Sequence, residues 1–307
     1  MNACIDIGGT KVAVSLNSGA DLGLVFRRSE PTAVTGRNDA LALQVLRMVD
    51  AACVEAGVAP SSVQRAGVSS CGPFVMRAGL IEVAAPNICG GIAGPARGLP
   101  NGWQTALLEA PLRARFQQVR VENDCVAALE AERRWGALQS VDHCAYVTWS
   151  TGIGSGLCVD GNVLRGKNGN AGHAGHMFVS DNDDALCGCG NVGDVEALVA
   201  GNAIGRRFGA DAASLLLRAK SGDAAALALV DDLCRVMGRT LYNMIITLDL
   251  QRISLGGSVF WHHRDFLLPR LAGQVRGKFG ALTDGCDLVA AGLEDRVGDY
   301  AALALIA

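Results

Sequence analysis

Two stretches of this chain follow one plan: a short apolar β-type run, a glycine turn, and a second apolar β-type run. The first comprises residues 3–7 (ACIDI), the turn Gly8-Gly9-Thr10-Lys11, and residues 12–16 (VAVSL). The second starts at Cys144 and reads CAYVTWSTGIGSGLCVDGNVL. An apolar pair of runs joined by glycine is a hairpin signal. Its recurrence in the second half of the chain predicts two α/β lobes on related plans, with a cleft between them.

The segments between the hairpins fit that plan. Residues 38–56 carry helical periodicity, with Asn38 as a candidate cap and Gly57 as a stop. AGVSSCGP reads as a short strand running into a turn, and residues 85–102, rich in Gly and Pro, as a long loop. Residues 119–124 (VRVEND) form a strand with a polar end, followed by a helix over 125–136. Further helices are expected over 194–209 and 223–248, then a strand and a third glycine turn at RISLGGSV. The C-terminal RVGDYAALALIA should be a short apolar helix that packs back on the first lobe.

A chain of 307 residues has room for one large domain or two ordinary ones. Its net charge of −3 provides no basic footprint for nucleic acid and no reason to expect an acidic membrane surface as partner. No apolar run reaches the roughly eighteen residues that a membrane span needs. The N-terminal MNACIDIGG lacks the features of a secretory signal, and 11 cysteines, odd in number and scattered, do not suggest a disulfide framework. A cytoplasmic location is therefore expected.

Three groups of residues can carry chemistry. In the turn Gly8-Gly9-Thr10-Lys11 the absence of β-carbons lets backbone N–H groups approach a polyphosphate, the Thr hydroxyl and Lys ammonium add donors, and Asp6 can hold magnesium. An ordinary hairpin turn would look the same. Ser150-Thr151-Gly152-Ile153-Gly154 and Leu255-Gly256-Gly257-Ser258 are further turns of this type, and three together suit a nucleotide. Glu122-Asn123-Asp124 places a carboxylate at a strand-to-helix junction, where it can either accept a hydroxyl proton or cap the following helix. Finally, His173 and His176, then Cys187, Cys189, Asp194 and Glu196, bring one His, a C-x-C pair and a further polar ligand within reach of one tetrahedral zinc; buried thiols beside a hydrogen-bonded His are the alternative.

Taken in order, DIGGTK, APN, VEND, STGIGSG, GNAGHAGH, CGCGNVGDVE and SLGGS resemble the ROK family of sugar kinases and related repressors over nearly the whole chain. The resemblance implies a two-lobed actin-like ATPase (ribonuclease H-like) fold, with a small α/β lobe at 1–121 plus 292–307 and a large α/β lobe carrying the zinc-type motif at 122–291. It implies an ATP- and magnesium-dependent kinase of a hexose or hexose-like polyol, phosphorylating a primary, 6-position-like hydroxyl, and a homodimer. By position, Asp124 would be the catalytic base; Gly8, Gly9, Thr10, Lys11, Thr151 and Gly152 would hold phosphates; and Gly256 and Gly257 would line the adenosine side. Gly72, Asn87, Asn123, His176 and Glu196 fall where the family contacts sugar, while His176, Cys187 and Cys189 match zinc ligands.

Three departures from the family pattern matter. His173 replaces a Glu, which moves the expectation from plain glucose toward an aminohexose or a C7-cyclitol. Asp194 replaces the third zinc cysteine, and Asn123-Asp124-Cys125-Val126 loses a polar side chain after the base. The first glycine motif begins near residue 6, so no room for the helix-turn-helix of the family's repressors is expected before it. A non-catalytic sugar sensor is the other rival.

Overall fold

The computed structural model describes residues 1–19, 22–92, 97–180 and 184–307. Part of the long loop expected over 85–102 therefore lies outside the described residues. Among the described residues no helix is long and apolar enough to cross a membrane.

The chain divides into two compact units, one comprising Met1–Ala131, Arg165–Ala171 and Gly298–Ala307, the other Glu132–Leu164 and Gly172–Val297. In the first, β1 (Asn2–Ile7), β2 (Lys11–Asn17) and β3 (Leu24–Pro31) form a meander beside helix α1 (Ala40–Glu55). Next come β4 (Arg65–Ser70), β5 (Phe74–Arg77), β6 (Leu80–Val83), β7 (Ala106–Leu107), α2 (Glu109–Arg115) and β8 (Gln118–Asn123), and α3 (Asp124–Trp135) leads out. The main sheet has the order β3-β2-β1-β4-β8, and β5-β6-β7 form a small separate sheet. β1 pairs antiparallel with β2 and parallel with β4, and β4 pairs parallel with β8. As a central strand, β1 is buried almost throughout, as expected where both sheet faces are covered. Leu41, Val45 and Met48 of α1 pack in one core with Ile5, Ile7, Val12 and Val14.

In the second unit β9 (Cys144–Trp149), β10 (Ile153–Val159) and β11 (Asn162–Val163) form another meander. Helices α4 (Val195–Val199), α5 (Gly201–Phe208), α6 (Ala212–Lys220) and α7 (Ala224–Leu248) follow. Then come β12 (Arg252–Gly256), α8 (Ser258–Trp261), α9 (Arg264–Val275), α10 (Gly280–Thr283) and β13 (Asp287–Ala290). The sheet order is β11-β10-β9-β12-β13, with β9–β10 antiparallel and β9–β12 and β12–β13 parallel. This is the connectivity of the first sheet repeated, so the echo between the two hairpins extends to five strands. The last helix, α11 (Val297–Ala304), belongs from Gly298 onward to the first unit.

Two local expectations need correction. The cap of α1 is Asp39, without a side-chain bond; Asn38 is instead engaged with the strand segment near β7, its carbonyl accepting from Leu107 N–H at 2.8 Å. The helix expected over 194–209 is two helices, because Ala200 is extended and Gly201 N–H bonds to Ser150 O at 2.8 Å instead of continuing the helical ladder. The third glycine turn joins β12 to α8.

Candidate active site

In the first unit the parallel register aligns Ile7, Ser70 and Asn123 at the C-terminal ends of β1, β4 and β8. The Gly8 turn, the Cys71-Gly72 corner and Asp124 therefore emerge at one sheet edge, where open α/β sheets collect ligand-binding loops. Cys71 N–H bonds to Ile7 O at 2.8 Å, tying two of these exits together. The turn closes through Gly8 N–H to Lys11 O at 2.8 Å, and Thr10 and Lys11 are exposed. Thr32 braces the turn from β3's end, its hydroxyl donating to Gly8 O at 2.8 Å and its N–H to Thr10 O at 3.1 Å. No sequence signal singles Thr32 out, because its partners are set by strand pairing. Gly9 must lack a side chain, since a β-carbon there would lie 2.7 Å from Asn87 Cβ. Asn87 is exposed, and Gly72 precedes Pro73.

Asp124 opens α3 and is exposed, whereas Asn123 is buried. Both carboxamide and carboxylate accept the Cys125 N–H, Asn123 Oδ1 at 3.0 Å and Asp124 Oδ1 at 2.8 Å. Asn123, immediately before the helix, thus acts as its cap, and Asp124 adds a second acceptor while remaining exposed. Although Asp124 reaches solvent, the surrounding protein excludes much bulk water. That desolvation pushes its carboxyl above the usual range, against the opposing pull of the Cys125 hydrogen bonds. Asp6 is pushed up to about 6, first by burial and then by the charge of Asp124, with Arg27 and Lys11 opposing. Two carboxylates that oppose each other's ionisation form a fit place for a cation. Glu122, in contrast, is buried in an ion-pair network with Arg120 and Arg165.

The second unit holds the other glycine turns. Between β9 and β10, Ser150 N–H bonds to Gly152 O at 3.0 Å, and Thr151 is exposed. Ile153 N–H, just past the turn, bonds to Glu196 Oε2 at 3.0 Å. At Gly256 a β-carbon would meet the Tyr146 hydroxyl at 2.4 Å. Gly257, at φ +88°, would place one 2.5 Å from Trp149 O, so only glycine fits. Ser150 and Ser258 hydroxyls, 2.9 Å apart, join the two turns.

His176, Cys187, Cys189 and Asp194 bring one ligand atom each within 4.8 Å of all the others. His176 Nδ1 lies 3.0 Å from Asp194 Oδ2, 3.6 Å from Cys189 Sγ and 3.9 Å from Cys187 Sγ. Such separations are those expected between donors sharing one tetrahedral zinc at roughly 2.0–2.3 Å, so the four residues fit the ion. Asp194 divides its carboxylate: Oδ2 faces the cluster while Oδ1 caps α4, accepting from Ala197 N–H at 2.8 Å. A thiolate could not do both as well. His173 stacks on His176 with ring centroids 5.9 Å apart, and its Nε2 is buried with no partner among the described residues.

N-acetylmannosamine kinase of Escherichia coli O139:H28 (strain E24377A / ETEC) is 34% identical over 266 residues, 83% of this chain and 82% of that protein. The N-acetylmannosamine kinase of Citrobacter koseri is 34% identical over 270 residues, with the same coverage of 83% and 82%. The crystal structure of a ROK hexokinase from Thermus thermophilus superposes with a TM-score of 0.78 at 29% identity, covering 99% of this chain and 97% of that one. The family model for the ROK family spans residues 2–307, and this chain belongs to that family.

Proposed function

We propose that this protein is an ATP-dependent sugar kinase that transfers the γ-phosphoryl group to a primary, 6-position-like hydroxyl of a hexose-type substrate, an aminohexose before plain glucose. The observation that carries the reading is Asp124, an exposed carboxylate of raised pKa at the same sheet edge as the Gly8 turn and beside Asp6. Phosphoryl transfer asks for positioning, charge neutralisation and a group that takes the hydroxyl proton. Asp124 takes that proton as the sugar oxygen bonds to the γ-phosphorus and the bond to the departing ADP oxygen breaks. Residues 8–11, with Thr151 and Gly152, hold phosphates; Gly256 and Gly257 line the adenosine. Asp6 would hold Mg²⁺, which would supply neutralisation of phosphate charge.

The sugar meets Gly72, Asn87, Asn123, His173, His176 and Glu196. The aminohexose preference is supported by the relatives named N-acetylmannosamine kinase. It is also supported by His173 Nε2, without a partner among the described residues, which supplies a hydrogen-bonding atom where the family usually has a carboxylate. His176, Cys187, Cys189 and Asp194 would hold zinc in a structural role, since four protein ligands would close its shell. The active form is taken to be a homodimer.

Purified protein should release ADP from ATP and Mg²⁺ with an N-acylated aminohexose, in a panel that also contains hexoses, free aminohexoses and cyclitols. Asp124→Asn should lower kcat by about 10²- to 10⁴-fold with ATP affinity retained. Absence of ADP release across the panel would favour a sensor, and an unimpaired Asp124→Asn would mean a different base.

A further inference from the structure

We infer that Glu196 is a positioning residue through which the His176-Cys187-Cys189-Asp194 cluster sets the geometry of the Ser150–Gly152 turn. Metal loading would thus govern nucleotide affinity as well as the sugar site; this rests on the kinase reading of that turn. Glu196 Oε2 accepts Ile153 N–H at 3.0 Å, and Cys187 Sγ lies 3.7 Å from its other oxygen. The same first turn of α4 is capped by Asp194, whose second oxygen belongs to the cluster. On the other side, the 3₁₀ turn Ala174–His176 presses on the same residue. A β-carbon at Gly175 would sit 2.4 Å from Ile153 O, and one at Gly152 would sit 2.7 Å from Glu196 Oε2.

Ile153 is therefore gripped at its N–H and its carbonyl by two segments that each carry cluster ligands. Packing this close leaves no slack: if the four donors separate, α4 and the 3₁₀ turn move and the grip on Ile153 opens. A residue serving only as a sugar contact would have no cause to spend a carboxylate oxygen on this backbone amide.

The test combines hydrogen exchange with ADP titration on metal-loaded protein before and after chelation, with peptides from β12 reporting global opening. Chelation should speed exchange in the peptide containing the Ile153 amide, while β12 stays protected, and weaken ADP binding by roughly tenfold, the equivalent of one lost hydrogen bond. Glu196→Ala should reproduce both effects before chelation and make chelation nearly silent. Glu196→Gln, which keeps an acceptor oxygen, should preserve slow exchange at Ile153. Gly152→Ala, which crowds the carboxylate from the turn side, should speed that exchange even if Glu196→Ala does not fold. Unchanged exchange at Ile153 after chelation, or a Glu196→Ala protein altered only in sugar KM, would overturn the link. Failure of every form to bind ADP would remove the kinase reading, while the exchange data would still decide whether cluster and turn are joined.

Discussion

At the scale of single residues, the decisive feature is a pair of carboxylates that the fold holds in each other's field. Raising Asp6 from 3.8 to about 6 means that the native protein holds this proton more firmly than the unfolded chain. Between those two values the folded state binds more protons, so stability falls as pH rises through the window. At neutral pH the ionised Asp6 consequently costs on the order of 1–3 kcal/mol. Asp6→Asn should therefore raise Tm by a few degrees at pH 7.5 and by much less at pH 4, while lowering activity. Thermal melts at the two pH values check this, and an equal effect at both would contradict the assigned cause. Asp6 within ACIDI is visible as a polar residue in an apolar strand, but its pairing with Asp124 is not: the two meet only because β1 and β8 flank β4 in parallel register.

At the scale of elements, hydrogen-bonding hubs decide which segments hold still. Glu132 is fully buried and accepts Ala137 N–H at 2.9 Å, Gly292 N–H at 2.9 Å, Ser254 Oγ–H at 3.0 Å and Leu293 N–H at 2.8 Å. It ties the end of α3 to β12 and to the loop after β13. Removing the carboxylate leaves the buried Ser254 hydroxyl and three part-buried backbone N–H groups without their acceptor, at a cost of about 1–3 kcal/mol for the buried donor and less for each of the others. Glu132→Ala should lose at least ~3 kcal/mol in urea denaturation, and Glu132→Gln should fall between it and the parent, because one of its two groups becomes a donor. In the sequence, Glu130, Glu132, Arg133 and Arg134 look like one charged helix surface; only packing distinguishes Glu132. The C-x-C pair with a nearby His is the opposite case, since its ligands lie within 19 positions, from His176 to Asp194, and their chemistry is readable as a local spacing.

At the scale of the whole molecule, the same five-strand connectivity appears twice, and the first of its sheets is completed from the far end of the chain. Gly67 in β4 meets α11 so closely that a β-carbon would lie 2.0 Å from Ala302 O. Backbone cannot yield as a flexible side chain can, so Gly67→Ala should destabilise by at least ~1–3 kcal/mol. A urea transition at the parent's midpoint would show that α11 tolerates displacement.

Sequence by itself determined what depends on neighbours along the chain. The two hairpins with their glycine turns, the helix-to-strand alternation, the apolar C-terminal helix and the spacing of the Cys and His donors were all legible, because periodicity, glycine and short ligand spacing are local properties. Tertiary structure alone decided the long-range partners: Thr32 under the Gly8 turn, Asp124 opposite Asp6, Glu196 on Ile153, Glu132 under β12, and Asn38 drawn from its helix to the strand beside it. In all of these but the mutually repelling Asp124 and Asp6, a polar group satisfies a donor or acceptor supplied by a distant segment. Burial makes such a bond compulsory, but which segment arrives is set by strand order and packing, and neither is written in the residues adjacent to it.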